Sequence, residues 1–514
     1  MHGTTFTTDE TVLETLLRDP VKSCFFVREC GATDDPSVLK TVLPETVFIS
    51  HPVSATSLGS IEFRREYGIR YACMAGAMAG GIAGERLVIA LGSAGLLGTF
   101  GAGGLPLSRV ETAIGTISSA LGENAFAVNL IHNTFDRELE MKTVELLLNR
   151  KVTIIEASAF MRLTPAIVWY RAKGLTLRND GTIAVKNRVI AKVSRTSVAV
   201  QFMGSAPRSM VASLLAENRI TETEARLLGE VPMADDITVE ADSGGHTDNL
   251  PLVNILPEIL RTRDALHRNH AWPLKIRIGA AGGISTPHAA HAAFVMGADY
   301  IVTGSINQSC IEADTSPQVK QSLARAGIAD VTMAPAADMF ELGVKVQVLK
   351  KGVFYPARAT YLYTLYNRYT GLDELPDDDL EKIEKELFQR KISEVWNDTE
   401  GFFRRTAPPI VQKALKDPKM KMALVFRWYL GLSTRWAKSG EPGRENDYQI
   451  WCGPSMGAFN SWVKGTPLEY PENRKIGEIT EKIMTETAYL RRLSAIRAAG
   501  FTFEENAVHS AETA

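Results

Sequence analysis

Residues 275–305 read KIRIGAAGGISTPHAAHAAFVMGADYIVTGS. The apolar run at 275–279 breaks into Gly279-Ala280-Ala281-Gly282-Gly283-Ile284, a helical stretch follows over 287–296, and a second apolar run at 300–303 ends in Gly304-Ser305. A strand, a turn of small residues, a helix and another strand in immediate succession make the repeat unit of a parallel sheet with covering helices.

The same alternation extends outward, from about Leu58 to about Ile328. Six more strand-like runs precede the pair, at 70–74, 96–100, 126–130, 153–156, 189–194 and 237–240. Helical segments at 106–121, 137–149 and 251–269 lie between them. Eight such strands suit a closed barrel, so the fold class is α/β, a (β/α)8 TIM barrel. A doubly wound open sheet is the plainer alternative. Two interruptions are expected: a hairpin over 176–186, signalled by Asn179-Asp180-Gly181, and an extra helical connection over 207–234.

The flanks do not follow this pattern. Residues 1–55 read as an N-terminal extension, with one helix near 11–18 and short apolar runs at 23–28 and 47–50. After Pro335 the strand signal fades, and aromatic and charged residues recur at helical spacing, as in 377–396 and 475–499. The expected domains are the extension (1–55), the barrel (56–330) and a mainly helical addition (331–514) that serves as a lid or docking region.

Composition narrows the class. The chain has 514 residues, more than one core ordinarily fills, about 250–300. Fifty-seven basic residues balance 59 acidic ones, so no field favours nucleic acid or an anionic membrane. No apolar run of about 20 residues could span a bilayer. The first residues lack the pattern of a signal peptide. Cys24, Cys30, Cys73, Cys310 and Cys452 are scattered and have no CxxC spacing, which argues against disulfides and zinc and for a reducing, cytoplasmic setting.

Chemistry is expected at the carboxyl ends of the strands. The Gly282-Gly283 turn and the Gly304-Ser305 turn follow the seventh and eighth strands, where a barrel often holds phosphate. No GxGxxG follows an early strand, so a resident Rossmann site is not expected. Ala75, Gly76 and Ala77 after the first strand leave room for a flat ring. Asn129, Glu156 and Lys192 on the third to fifth strands suit the pyrimidine edge of a flavin, with Lys192 near N1, where negative charge grows on reduction. The sixth strand closes in Glu240-Ala241-Asp242-Ser243-Gly244-Gly245-His246-Thr247. Its glycine pair can aim the imidazole of His246, a group able to donate a hydrogen bond or proton to a carbonyl compound. Asp242, Gly244 and Gly245 complete the candidate cofactor set. Glycines that only turn the chain, core methionines and a surface histidine are the plain alternatives.

This succession resembles the flavin-binding barrel of nitronate monooxygenases and FMN-dependent enoyl-carrier-protein reductases. More closely, nearly the whole chain resembles PfaD-type trans-acting enoyl reductases, through Cys24-Phe25-Phe26-Val27-Arg28, the 240–247 stretch and, most discriminating, residues 338–349. The resemblance implies resident FMN, a transient NADPH or NADH, and reduction of enoyl thioesters carried by acyl carrier protein domains of a polyketide or polyunsaturated fatty-acid synthase. It implies that His246 orients or polarises the thioester carbonyl. The broader families place Glu-Ala-Gly-Gly-His at the histidine, whereas Asp242-Ser243 intervenes here. A basic docking surface for an acidic carrier would fall on Arg404, Arg405, Lys413, Lys416, Lys419 and Lys421, whose plainer reading is a solvated face. Arg358 is a second candidate, for the pantetheine phosphate. Exposed aromatic stretches after residue 335 leave room for a homodimer. Two other functions stay open: a nitronate monooxygenase-like flavoenzyme, and a non-catalytic scaffold of a synthase complex.

Overall fold

The structure is a computed structural model and describes residues 6–28, 30–40, 42, 47–133, 136–270, 272 and 275–501. The expected extension and addition thus lie partly outside the described residues. In chain order the strands are β1 (Cys24–Val27), β2 (Gly31–Thr33), β3 (Val47–Ser50), β4 (Cys73–Ala75), β5 (Leu97–Phe100), β6 (Ala127–Ile131), β7 (Ile154–Ser158) and β8 (Leu175–Leu177). They continue with β9 (Ile183–Val185), β10 (Arg188–Val193), β11 (Asp236–Glu240), β12 (Gly245–His246), β13 (Arg277–Ala281), β14 (Tyr300–Thr303), β15 (Val331–Pro335) and β16 (Lys345–Leu349).

The eight expected strands are those of a closed parallel barrel, ordered β4-β5-β6-β7-β10-β11-β13-β14, with β14 pairing back onto β4. Closure excludes the open-sheet alternative. The expected hairpin is present as β8 against β9, turned at Gly181 with φ +82°. Helices Arg208–Ala216 and Glu222–Leu227 fill the extra connection before β11.

Side chains alternate across each strand, so every second residue fills the interior. Met74, Leu97, Ala127, Ile154, Ile190 and Tyr300 form one apolar layer with Phe63 and Tyr67 from the helix Ile61–Tyr67, and Phe63 stacks on Tyr300 at 4.1 Å. The amino-terminal end of the barrel is closed by ion pairs. Arg277 grips Asp236 with two bonds of 2.6 and 2.8 Å, and the Tyr67 hydroxyl donates to the same carboxylate. Arg171 donates to Asp235 at 2.7 Å, and Arg188 reaches Asp235 and Glu66. A small cavity lined by Glu66, Arg171, Arg188 and Arg277 belongs to this scaffold, at the opposite end from the glycine turns.

The described residues form two compact units. One holds the residues up to Ala241, Leu250–Ala313 and the residues from Ser461; the other holds Asp242–Asn249 and Asp314–Asn460. This division differs from a single boundary at residue 330. The helix Ile476–Ala498 packs on the barrel helix Pro287–Val295 and on the N-terminal sheet β2-β1-β3, sharing a core of Leu13, Leu17, Phe26, Tyr489 and Leu493. Arg492, 2% exposed, ties these pieces together by donating to the carbonyls of Leu17 (2.8 Å), Asp19 (2.7 Å), Lys22 (3.1 Å) and Ser50 (3.2 Å). The helical spacing at 475–499 gave its type but not its partner, which lies far upstream in the chain.

The second unit is helical around Phe340, Tyr355, Phe388, Phe426 and Tyr429, but it also contains the antiparallel sheet β12-β16-β15. The fading strand signal after Pro335 is therefore corrected: residues 345–349 form the central strand of that sheet. A run of five residues is too short for periodicity to separate strand from helix. Among the described residues no helix is long and apolar enough to cross a membrane.

Candidate active site

Glu156 lies in the middle of β7 on the interior face and is 1% exposed. A buried carboxylate needs partners. The Ala77 N–H, just past β4, donates to both its oxygens at 3.3 Å, and Lys192 Nζ on β10 lies 3.6 Å from Oε1. Lys192 also reaches Glu240 at the end of β11, at 3.1 Å. Asn129 on β6 donates to the Glu156 carbonyl and to the Ser158 hydroxyl, each at 3.0 Å. Strand pairing explains the convergence, because Asn129 sits opposite Glu156 and Lys192 opposite Thr238, two residues before Glu240. Burial works against the Lys192 charge. The carboxylates of Glu240 and Glu156 outweigh it and hold the ammonium well above the usual lysine range.

The glycine turns sit beside this cluster at the same end of the barrel. Gly76 N–H donates to the Thr303 carbonyl at 3.0 Å, joining the exits of β4 and β14. Ala75 is buried as the last residue of β4. Gly282 and Gly283 have φ of +85° and +77°, a region that favours glycine, and a Cβ on Gly283 or Gly304 would meet nothing within 4 Å. Buried polar atoms of Ser285, after the first turn, and Asn307, after the second, have no partner among the described residues. Ser305 opens the short helix Ser305–Gln308. Open backbone with orphaned polar groups at two adjacent strand ends fits the phosphate end of a mononucleotide.

The structure thus brings together Ala75, Gly76, Ala77, Asn129, Glu156, Lys192, Gly282, Gly283, Gly304 and Ser305. Sequence reasoning missed Glu240 as the second partner of Lys192, and Gly101. A Cβ on Gly101 would lie 1.8 Å from the Met78 carbonyl oxygen, so only glycine allows that approach. Glu240 carried a signal, since it has the interior parity of Thr238, but its partner stands 48 residues earlier in the chain.

Asp242, Gly244, Gly245 and His246 belong to the second unit. The Asp242 carboxylate accepts from the side-chain amides of Asn249 (2.7 Å) and Gln347 (3.0 Å). Gly244 packs against the backbone of Cys452 and Gly453, and Gly245 pairs with Gln347. His246 pairs with Val346 on β16, and its ring lies edge-on to Trp451. Its Nε2 is 3.1 Å from Asp338 Oδ1.

Two expectations about cations change. Arg358 is not free for a phosphate: it pairs with the fully buried Asp447, which also accepts from Tyr429 at 2.6 Å and from Arg444 at 3.1 Å. In the basic stretch, Lys419 donates to the carbonyls of Tyr366 and Tyr369, Lys421 lies over the Trp396 ring, and Arg404 pairs with Glu400. Arg405, Lys413 and Lys416 are exposed.

Comparison with known proteins fits this geometry. The model of the nitronate monooxygenase family matches residues 65–353, more than half of the chain. A second model, the inserted helical domain of [acyl-carrier-protein] S-malonyltransferase, matches residues 369–448. A polyunsaturated fatty acid synthase protein of Thraustochytrium is 48% identical over 87% of this chain. Polyketide biosynthesis protein PksE of Bacillus subtilis is 49% identical over 85% of it. The chain spans 30% and 57% of the lengths of those two relatives. The crystal structure of the enoyl reductase domain of MlnA, from the macrolactin cluster of Bacillus amyloliquefaciens, superposes with a TM-score of 0.82 at 40% identity, covering 86% of this chain and 99% of that one. The chain belongs to the nitronate monooxygenase family, in its PfaD-type enoyl reductase branch.

Proposed function

We propose that the protein is a trans-acting, FMN-dependent enoyl reductase. It saturates the α,β double bond of enoyl thioesters on acyl carrier protein domains in polyketide or polyunsaturated fatty-acid assembly, with NADPH or NADH as the electron source. The observation that carries this reading is the likeness to the MlnA enoyl reductase domain over 99% of that domain's length.

FMN, when bound, supplies the hydride that adds to the β-carbon of the enoyl group. The residues of this chain have the other tasks. The amides around Gly282, Gly283, Gly304 and Ser305, with the Ser285 hydroxyl, hold the phosphate. Ala75, Gly76 and Ala77 make a wall without bulky side chains for the ring. Asn129, Glu156 and Lys192 form its polar edge, and the Lys192 ammonium offsets negative charge there. His246 follows the end of β11 by six residues. It orients the thioester carbonyl and stabilises the developing enolate. The match of residues 369–448 to a helical domain of an enzyme acting on acyl carrier protein supports the second unit as the carrier-docking region.

The test is optical. Purified protein should be yellow, bleach anaerobically with NADPH or NADH, and recover its colour with an enoyl thioester. Protein that stays colourless after reconstitution with FMN would point to the scaffold reading. Recovery with a nitronate and oxygen, but not with crotonyl thioester, would make it a nitronate monooxygenase.

A further inference from the structure

The second unit surrounds His246 with more structure than a surface histidine needs. β12 contains only Gly245 and His246, held to β16 at Gln347 and Val346. Gly245 has φ +88°, and a Cβ there would lie 3.1 Å from the Trp451 ring, so the turn that presents the histidine depends on glycine. Trp451 flanks the imidazole edge-on, with centroids 6.1 Å apart. The turn between β15 and β16 then brings Asp338 Oδ1 to 3.1 Å from Nε2.

Asp338 has little structural work of its own. Its side chain is 60% exposed, and its hydrogen-bonded side-chain partner among the described residues is His246. An exposed pair of this kind adds little to stability. Other ionisable groups around the pair are committed elsewhere or lie on flanking elements. Arg427 pairs with Glu341 at 3.1 Å, Asp242 holds Gln347 and Asn249, Lys345 is exposed at the start of β16, and Tyr355 is buried behind the turn.

We infer that Asp338 is a positioning residue for His246: its carboxylate accepts Nε2–H and fixes the ring orientation, so that the imidazolium form presents Nδ1–H to the substrate as the acid that protonates the α-carbon. This rests on the enoyl reductase reading. With both nitrogens protonated, the carboxylate accepts Nε2–H, and Nδ1 can release its proton to leave the neutral Nε2–H tautomer without turning the ring. In the reaction, the two electrons arrive at the β-carbon as hydride from the reduced flavin cofactor. The π pair of the double bond moves to the α-carbon and thioester, the Nδ1–H bond breaks, and that proton forms the new α-C–H bond. A solvent proton then returns to Nδ1 and regenerates the imidazolium, so the net reaction consumes one hydride and one proton.

The experiment compares wild type, His246→Ala, Asp338→Ala, Asp338→Glu and the double variant His246→Ala/Asp338→Ala, each loaded with FMN to the wild-type absorbance. Asp338→Ala should slow reoxidation by a carrier-bound enoyl thioester roughly tenfold or more. Reduction by nicotinamide and KM for the thioester should be unchanged, and Asp338→Glu should restore part of the rate. The double variant should be no slower than His246→Ala, because residues that act as a unit are not additive. Independently of turnover, nitrogen-15 NMR of labelled histidine, recorded where the His246 imidazole is neutral, should show the Nε2–H tautomer alone in wild type and a tautomer mixture in Asp338→Ala. Wild-type reoxidation and an unchanged His246 signal in Asp338→Ala, with His246→Ala slow, would overturn the inference alone. Additive losses in the double variant would also overturn it. Full turnover by His246→Ala would instead overturn the functional reading on which it stands.

Discussion

Lys192 is the residue on which the barrel's polar cluster depends. It lies between two carboxylates, 3.6 Å from Glu156 and 3.1 Å from Glu240, and it is 17% exposed. Removing one partner of a buried ion pair leaves the other charge uncompensated, which costs about 3–5 kcal/mol. Lys192→Met should therefore lower unfolding free energy by about that amount in urea titration, and adding Glu240→Gln should return part of it. A loss below about 1 kcal/mol would mean that the carboxylates are hydrated and the cluster is not a closed one. The sequence made Glu156 and Lys192 visible because polar side chains on the inner face of a barrel strand are unusual. It did not make their pairing visible. That depends on which strands become neighbours when the barrel closes, and β10 meets both β7 and β11 only then.

The strands of the barrel were legible because each is an apolar run bounded by small or turn-forming residues, repeated at helix-length intervals. Their ends were less legible. The run expected at 275–279 is observed as Arg277–Ala281, because Ala280 and Ala281 still make ladder hydrogen bonds before the left-handed glycines stop the strand. β15 and β16 escaped notice for a different reason. They stand alone, with no repeated strand–helix alternation around them, amid aromatic and charged residues. Yet β16 is the centre of its sheet, bonded to β15 on one side and to β12 on the other. A proline there removes a ladder donor and clashes with its neighbours. Val346→Pro should lower stability by about 3 kcal/mol or more. It should also release β12, read as faster amide exchange at Gly245 and His246 while the barrel strands keep their protection. Unchanged exchange at those two residues would show that β16 does not hold the histidine.

For the molecule as a whole, Arg492 links stretches far apart in the chain. Its guanidinium donates to backbone carbonyls at Leu17, Asp19, Lys22 and Ser50, all in the N-terminal extension. Arg492→Met should leave several buried carbonyls unsatisfied and cost about 3 kcal/mol. Calorimetry should then show the N-terminal sheet melting ahead of the barrel, whereas a single unshifted transition would assign the extension to other contacts. The compact units do not divide at the expected residue 330 for a related reason. Composition changes near Pro335, but units are defined by contacts, and the helix Ile476–Ala498 returns to the barrel after the second unit is complete.

The short excursion Asp242–Asn249 has a consequence for biosynthesis. It belongs to the second unit, although it is translated between two barrel strands, and Leu250–Ala313 of the first unit separates it from the rest, which begins at Asp314. A growing chain therefore cannot finish either body in turn as it leaves the ribosome. The β12 segment must wait for its sheet, and the barrel unit must wait for the helix Ile476–Ala498. Folding is deferred until those residues have emerged, where such distant pairings are slow to form and unfinished surfaces stay open to chaperones.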